Sequence, residues 1–406
     1  MSGALEGIRV LDLTAWQAGP TVTMMFGDLG AEVIKIEAIQ RLDGWRGAGD
    51  SYELSPNWNG LNRNKLGLTR DLTSPDGARL FKRLVEISDL VVENYTPRVM
   101  ENFGLGYDEL AKINPRIIML SLSGFGATGP WRDFLAFAFP TEEMSGIAQL
   151  TGYEDGPPEL IGPPVTDALA GMMGTFSLLV ALEYRRRTGC GQYIDCSQIE
   201  ALTGLIGGEV MAFTMNGEVE PRRGNRDQWM APHGVYRCAG EDRWISIAVG
   251  TDEQWRGLCR AIGRPELAED ARFVTASGRH AHQSEVDPQI EQWTSERTHY
   301  DAMHALQAQG VPAGAVLTPS ELLVDPHLAA RGYFHTLTRD VVGTHPFPGP
   351  AFHMSETPGS LRRPAPFLGE HNQYVLGELL GLSDDELRDL AAREVIGDRP
   401  LPQTWR

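Results

Sequence analysis

Short apolar runs rich in Val, Ile and Leu alternate with helix-length segments through the first third of this 406-residue chain. "GIRVLDLT" opens the pattern. "PTVTMMFGDLGA" follows with helical spacing and ends at glycine, and "EVIKIE" reads as the next strand. The unit recurs. "SPDGARLFKRLVEISD" has a Ser-Pro helix start and leads into "LVVENY", and "YDELAKINP" is stopped by proline before "RIIMLSLSGFG". Strands without polar alternation, joined by helices, fit a parallel sheet covered on both faces. The expectation is an α/β, doubly wound, Rossmann-like domain.

Beyond it, "IGPPVTDALAGMMGTFSLLVALEYRRRTG" is a long apolar helix. It leads through the strand "YIDCS" to a second helix, "QIEALTGLIGGEVMAFTM". "NGEVEPRRGNRDQWMAPHG" is polar and rich in turn formers, and reads as a linker. "GVYRCAGEDRWISIAVG" reads as a strand pair, and helical segments follow. Residues 225–330 are expected to form a smaller α/β domain. Residues 1–215 and 335–406 would form the large one, the Pro-rich crossing "HPFPGPAFHMSETPGSLRRPAP" returning the chain to it or to a partner subunit. The helix "NQYVLGELLGLS" closes the tail.

Composition removes several functions. The net charge of −18 would repel nucleic acid. Four scattered cysteines with no CxxC pair give neither a disulfide framework nor a zinc knuckle. The N-terminus has no secretory pattern, and the apolar stretch after Asp167 falls short of the roughly 20 residues of a membrane span. A cytoplasmic protein is expected. All ten histidines lie at or beyond His233, and GxSxG is absent, so the α/β half has no imidazole for a Ser-His pair. "HAH" at His280–His282 lacks the acidic context of a zinc helix. The first strand runs into "TAWQAGPT", not GxGxxG, which disfavours a nicotinamide cofactor. No resident cofactor or metal is expected.

Ligands of such a fold lie at the carboxyl ends of the strands. The loops there carry Gln17, Arg41, Arg46, Arg70, Asn94 and Arg98. Asp167 has two readings. It can cap the helix that follows it, or act as a carboxylate nucleophile toward an activated acyl group, kept ionised by the helix N-terminus.

Several blocks follow one another in a familiar order: "LEGIRVLDLTAWQAGP", "LGAEVIKIE", "NRNKLGLTRDLTSPDG", "VVENYTPRVMENFGLGYDEL", "NPRIIMLSLSGFGATGP" and "RTGCGQYIDCSQIEA", then "GVPAGAV", "DPHLAARGYF", "PGPAFHMSETP" and "LGEHNQYVLGELLGLS". They resemble the family III coenzyme A-transferases, which include formyl-CoA transferase. The resemblance spans nearly the whole chain. It implies an interlocked homodimer of chains with a large Rossmann-like and a small domain, and an active site between the domains at the subunit interface. It also implies an aspartate that takes the acyl group from CoA as a mixed anhydride and then holds CoA as an aspartyl thioester. That position falls on Asp167. Gln17 and Ala18 would meet the thioester end. Arg70, Asp71, Leu72 and Thr73, with Asn94, Tyr95 and Thr96, would surround the adenosine end.

The chain departs from the pattern in places. Thr73 stands where a lysine is frequent and Ala38 where an arginine is frequent, which leaves Arg41, Arg70 or Arg98 for the phosphates. Phe139 and Pro140, followed by Glu142 and Glu143, replace a frequent Tyr-acid pair. "RCAGEDRW" replaces the glycine-rich loop of formyl-CoA transferase. The related 2-methylacyl-CoA racemases carry a histidine in the region held here by "FLAFAFPTEE", which has none, so racemisation, with a glutamate in the place of that histidine, is the lesser alternative. A non-catalytic CoA-binding protein is the third. The phenyl and alkyl side chains from Phe134 to Phe139 point to a mid-sized, partly apolar acid.

Overall fold

The computed structural model describes residues 3–47, 51–162 and 165–402. Six strands form one parallel sheet: β1 (Arg9–Asp12), β2 (Glu32–Glu37), β3 (Lys65–Thr69), β4 (Leu90–Glu93), β5 (Ile118–Ser123) and β6 (Tyr193–Ser197). Three further strands, β7 (His233–Arg237), β8 (Trp244–Ala248) and β9 (Ala313–Ala315), form an antiparallel sheet. β10 (Phe334–Arg339) and β11 (Gly343–Pro348) form a hairpin.

The parallel sheet has the order β3-β2-β1-β4-β5-β6. Strand order reverses between β1 and β4, and the crevice at that reversal is where doubly wound folds take ligands. Apolar side chains alternate to two cores, as the pleat requires. Val10, Val33, Val92 and Leu120 pack beneath helix α1 (Ala18–Asp28). Leu11, Ile34, Leu66, Leu68 and Val91 face the helix Pro75–Glu86, labelled α2, and the C-terminal residues Leu376 and Leu387. Helix α2 starts where its sequence dictates. Pro75 occupies the first turn and the Ser74 hydroxyl accepts from the Gly77 N–H.

Helix α3 (Ala138–Met144) precedes the 24-residue helix α4 (Val165–Thr188). By length and composition α4 could cross a membrane, longer than the sequence reading allowed. It buries Ala170, Gly171, Gly174, Leu178 and Ala181, the small and apolar face that lies on α1 and β5.

The chain divides into two compact units. One comprises Met1–Ala148, Leu160–Val219 and His327–Arg406. The other comprises Gln149–Glu159 and Glu220–Pro326. The second has its own core, with Trp255, Leu258, Phe273, Ile290 and Leu306 packed on Ile245 and Ile247.

Some expectations need correction. β4 ends at Glu93, so Asn94 and Tyr95 lie in the turn beyond it. "QIEALTGLIGGEVMAFTM" is two helices, Gln198–Thr203 and Gly207–Asn216, separated by a tighter turn at Gly204–Ile206 where glycine lowers helix propensity. The Pro-rich crossing begins inside β11 of the β10–β11 hairpin, and the prolines of that strand are tolerated because the two-stranded ribbon leaves an edge free. The tail helix is wound as a π-helix over Gln373–Leu379.

Candidate functional site at the strand reversal

The loop Thr14–Gln17 leaves β1 at the reversal, and it is held from below by buried charge. Asp12 ends β1 fully buried, accepting from the Thr14 N–H (2.9 Å) and hydroxyl (2.6 Å) and from the Thr23 hydroxyl (2.7 Å). Lys65 lies 3.0 Å from Asp12, and Lys35 lies 3.9 Å from it. Burial would raise the Asp12 carboxyl, but the two lysines and two hydroxyls hold it at about 2. Burial pushes Lys65 down to about 8. Lys35 is raised despite its burial, because Asp12, Asp43 and Glu37 surround it. Its Nζ donates to the Thr14 carbonyl and to Asp43 (3.1 Å).

Three further bonds fix the loop. Asn94 Oδ1 accepts from the Ala15 N–H and Asn94 Nδ2 donates to the Ala15 carbonyl, both at 2.8 Å. Asp43 accepts from the Trp16 N–H at 3.0 Å. Trp16 itself sits at φ +63°, a left-handed conformation that a bulky residue keeps only when its surroundings impose it. Its ring meets Trp45 and Phe137 edge-on at 5.5 and 5.7 Å. Gly44 is required there, since a Cβ would fall 2.3 Å from the Trp16 ring. Gln17 follows as the N-cap residue of α1, and Ala18 is buried as its first residue.

Asp167 reaches the same level through helix packing. At Gly171 a Cβ would stand 2.8 Å from the Ala18 carbonyl oxygen and 2.8 Å from Thr21 Cβ; at Gly174 it would meet Val22 at 3.1 Å. Thr175 Oγ1 lies 3.6 Å from Met25 Sδ. Residue numbers therefore rise together along α1 and α4. One turn back from Gly171 on the same face is Asp167, level with the Thr14–Gln17 loop.

Asp167 is not the N-cap. The helix has begun by Val165, which puts Asp167 inside its first turn. Pro163 and Pro164 lie outside the described residues. Among the described residues Asp167 has no hydrogen-bond partner, and burial pushes its carboxyl up to about 6. The helix N–H groups are expected to keep it ionised; burial acts against them and lifts the carboxyl, which still leaves it ionised at neutral pH.

The other sequence candidates sort by partner. Asn94 was expected at the adenosine end, but both its side-chain polar atoms are committed to Ala15. Asp71 Oδ1 accepts from the Thr73 N–H (2.9 Å) and hydroxyl (2.6 Å), so both residues close their own turn. Leu72 is buried in the core and Tyr95 packs against it. The Thr96 carbonyl accepts from Val99. Arg98 is exposed and pairs with Asp133 at 3.1 Å. Arg41 is exposed, and its side chain has no partner among the described residues. Arg46 is buried between Glu37 (2.8 Å) and Glu53 (2.7 Å), an internal ion pair and not a ligand group. His280 meets the Asp227 carbonyl and His282 pairs with Glu285.

The sequence reading left Glu142 without a role. It is fully buried, Oε1 accepts from the Ile161 N–H at 2.6 Å, and Oε2 has no partner. It thus tethers the segment that leads into Asp167. Glu143 is exposed. The buried network of Asp12, Lys35 and Asp43 was also passed over, although charged residues inside the apolar runs "RVLDL" and "EVIKIE" were its visible signal.

With this geometry in hand, comparison with known proteins is decisive. Residues 5–372 match the model of CoA-transferase family III. The chain belongs to that family. It is 38% identical to a succinyl-CoA–D-citramalate CoA-transferase of Chloroflexus aurantiacus, over 97% of this chain and 98% of that one. It is 34% identical to a succinate–glutarate CoA-transferase of Agrobacterium fabrum, over 92% and 95%. It is 32% identical to a formyl-CoA:oxalate CoA-transferase of Streptomyces avermitilis, over 98% and 100%. Among solved structures, a CAIB/BAIF family protein from Brucella suis superposes with a TM-score of 0.84 at 31% identity, covering 93% of this chain and all of that one. The chain is a CoA-transferase, an enzyme that uses CoA thioesters and carboxylic acids as substrates.

The closeness of α1 and α4 is testable. Gly171→Ala is expected to lower stability by about 1–3 kcal/mol, the usual cost of overpacking. It should also lower kcat, because the new methyl meets backbone that cannot rotate away. Thermal melts and steady-state kinetics read the two effects separately.

Proposed function

We propose that Asp167 is the nucleophile of the transfer. A carboxylate oxygen attacks the thioester carbon, the C–S bond breaks, and CoA leaves as thiolate with the acyl group held as an aspartyl anhydride. The thiolate then attacks the aspartyl carbonyl, the donor acid departs, and CoA is left on Asp167 as a thioester. The incoming carboxylate and the thiolate repeat the two steps in reverse, which regenerates the aspartate. No net proton moves, so an ionised but poorly solvated carboxylate suits the task. The observation that carries this reading is Asp167, unpartnered and partly buried, level with a loop fixed by Asn94, Asp43 and Lys35. Gln17, at the start of α1, positions the thioester.

The relatives named above transfer CoA to or from small dicarboxylates, and we propose a short-chain dicarboxylate for this enzyme. Trp16, Phe137 and the exposed stack of Trp131 on Phe134 favour a second reading, an acid with an apolar body. Succinyl-CoA offered with a panel of C4–C5 dicarboxylates and arylalkanoic acids separates them. The first reading expects transfer to the dicarboxylates, and transfer confined to the aryl acids would overturn it. The same reactions run in heavy water should leave the 2-position of the acyl chain undeuterated.

The outer side of α4 leaves Met172, Met173, Phe176 and Val180 exposed, and the helix Gly207–Asn216 exposes Met211, Phe213 and Met215. An apolar surface of that extent favours burial against a second copy. We propose the interlocked homodimer, with residues 1–215 and 335–406 as the large and 225–330 as the small domain, in the cytoplasm.

A further inference from the structure

The buried charge beneath the Thr14–Gln17 loop does not end at Asp43. Glu37 Oε1 accepts from the Asp43 N–H at 3.4 Å, and Glu37 pairs with Arg46 at 2.8 Å. Arg46 reaches Glu53 at 2.7 Å, and Glu53 is bonded in turn by Arg339. These four side chains are buried, as are Asp12, Lys35, Lys65 and Asp43, so the line from Lys65 to Arg339 carries four cations and four anions. Such pairs add little stability over apolar packing, but they constrain strongly. Removing one partner leaves the other buried and unpaired, which is costly.

The far end of the line is Arg339, the last residue of β10 and 286 positions beyond Glu53 in the chain. It is held from several sides. Nη1 donates to Asn59 Oδ1 at 3.2 Å, Nη2 donates to the Pro366 carbonyl at 3.1 Å, and the guanidinium lies 4.3 Å from the Phe367 ring centre. Glu53 is thereby fixed, and its Oε1 also accepts from the Leu368 N–H at 3.0 Å.

The turn Asp43–Arg46 carries that constraint to the loop. It is closed by the Arg46 N–H, which donates to the Asp43 carbonyl at 2.9 Å. At one end Asp43 holds the Trp16 N–H. In the middle, Gly44 and Trp45 meet the Trp16 ring. At the other end Arg46 is clamped between Glu37 and Glu53. A single turn moves as one piece, so the clamp on Arg46 sets where Asp43 grips Trp16.

We propose that Arg339 is a positioning residue for CoA transfer. By fixing Glu53 it fixes Arg46, and through the Asp43–Arg46 turn it sets the direction of Trp16 and Gln17. This rests on the reading that the Thr14–Gln17 loop positions the thioester, and not on the role of Asp167.

The test compares wild type, Arg339→Met and Arg339→Lys by steady-state kinetics and by fluorine NMR of 5-fluorotryptophan protein. Trp16→Phe assigns the Trp16 line, and the line of Trp255, in the core of the second unit, is the reference. The loss of one charged hydrogen bond corresponds to roughly tenfold. Arg339→Met should lower kcat by about that factor, leave KM for acyl-CoA within about twofold, and shift or broaden the Trp16 line but not that of Trp255. Arg339→Lys, which keeps the charge, should recover part of both. Ile290→Ala, in the core of the second unit, is the stability control. It should melt lower with kcat and the Trp16 line in place, and a fall in kcat there equal to that of Arg339→Met would overturn the proposal. So would an unchanged kcat with an unmoved Trp16 line. A moved Trp16 line with unchanged kcat would keep the link to the loop but remove the loop from the reaction, and with it the role of Arg339. Should Arg339→Met not fold, Arg339→Lys decides, and wild-type kcat and Trp16 line in that variant overturn the proposal.

Discussion

Asp167→Ala should lower CoA transfer by about four orders of magnitude or more, the scale seen when a covalent nucleophile is removed, with the fold and CoA binding retained. The side chain is bonded to nothing in the described structure, so its loss breaks no tether. Asp167→Asn keeps the shape and removes the charge, and it should be equally inactive. The pH behaviour follows from the same group. Its carboxyl is raised to about 6 in the folded chain by burial, above the ordinary aspartate value near 3.9. Folding therefore favours the protonated form. That contribution to stability is complete below about pH 4 and is lost as pH rises through 6. Above pH 6, Asp167→Asn should be more stable than wild type by a constant margin. The rate should run the other way, rising through about pH 6 to a plateau as the nucleophile ionises. Melting curves and single-turnover rates across pH 4–8 read both. A rate falling with rising pH over that interval would contradict the assignment.

Asn94→Ala should give the second large effect, a fall in kcat of about 10- to 100-fold with little change in KM for the acyl-CoA. Asn94 grips Ala15 by donor and acceptor together, and each bond contributes about 0.5–1.5 kcal/mol. Without them the strained turn at Trp16 has only Asp43 and Lys35 to hold it, and Gln17 loses its fixed direction. Asn94→Asp can keep the bond from the Ala15 N–H but sets an oxygen against the Ala15 carbonyl, so it should not rescue. Had Asn94 met the adenosine, the penalty would fall on KM for CoA and spare kcat. The ratio of the two parameters decides between these roles.

Much of this architecture was legible in the residues. Unbroken Val, Ile and Leu runs with helical spacers can be buried on both faces only in a parallel sheet, so the α/β core followed from periodicity alone. β3 was less visible. "KLGLT" is short and carries a lysine, and it is a strand because Lys65 is neutralised by Asp12 from β1, a pairing that no local pattern reveals. The π-wound tail and the β10–β11 hairpin depend on tertiary contacts in the same way.

The site was legible in its positions more than in its roles. Asp167 and Gln17 were visible as candidates, and the helix register brings them level. Asn94, Asp71 and Thr73 were placed at the adenosine end by the resemblance; polar residues at strand ends serve ligands and backbone turns alike, and the side-chain bonds described for these three are to their own turns and to Ala15. Glu142 carried no signal beyond being an acid near aromatic residues. Its burial and its hold on Ile161 come from how α3 is placed. Arg70 was named for the adenosine end and the phosphates, and its burial without an ion-paired carboxylate among the described residues is a property of the packed core.

The central claim is that the acyl group and then CoA pass through Asp167. The most direct measurement is peptide mass spectrometry after the enzyme is mixed with acyl-CoA, quenched in acid and treated with hydroxylamine. A hydroxamate at Asp167, formed in step with loss of activity and absent without acyl-CoA, is the expected result. Undiminished turnover in hydroxylamine with Asp167 unmodified, or a hydroxamate at Glu142 instead, would contradict it.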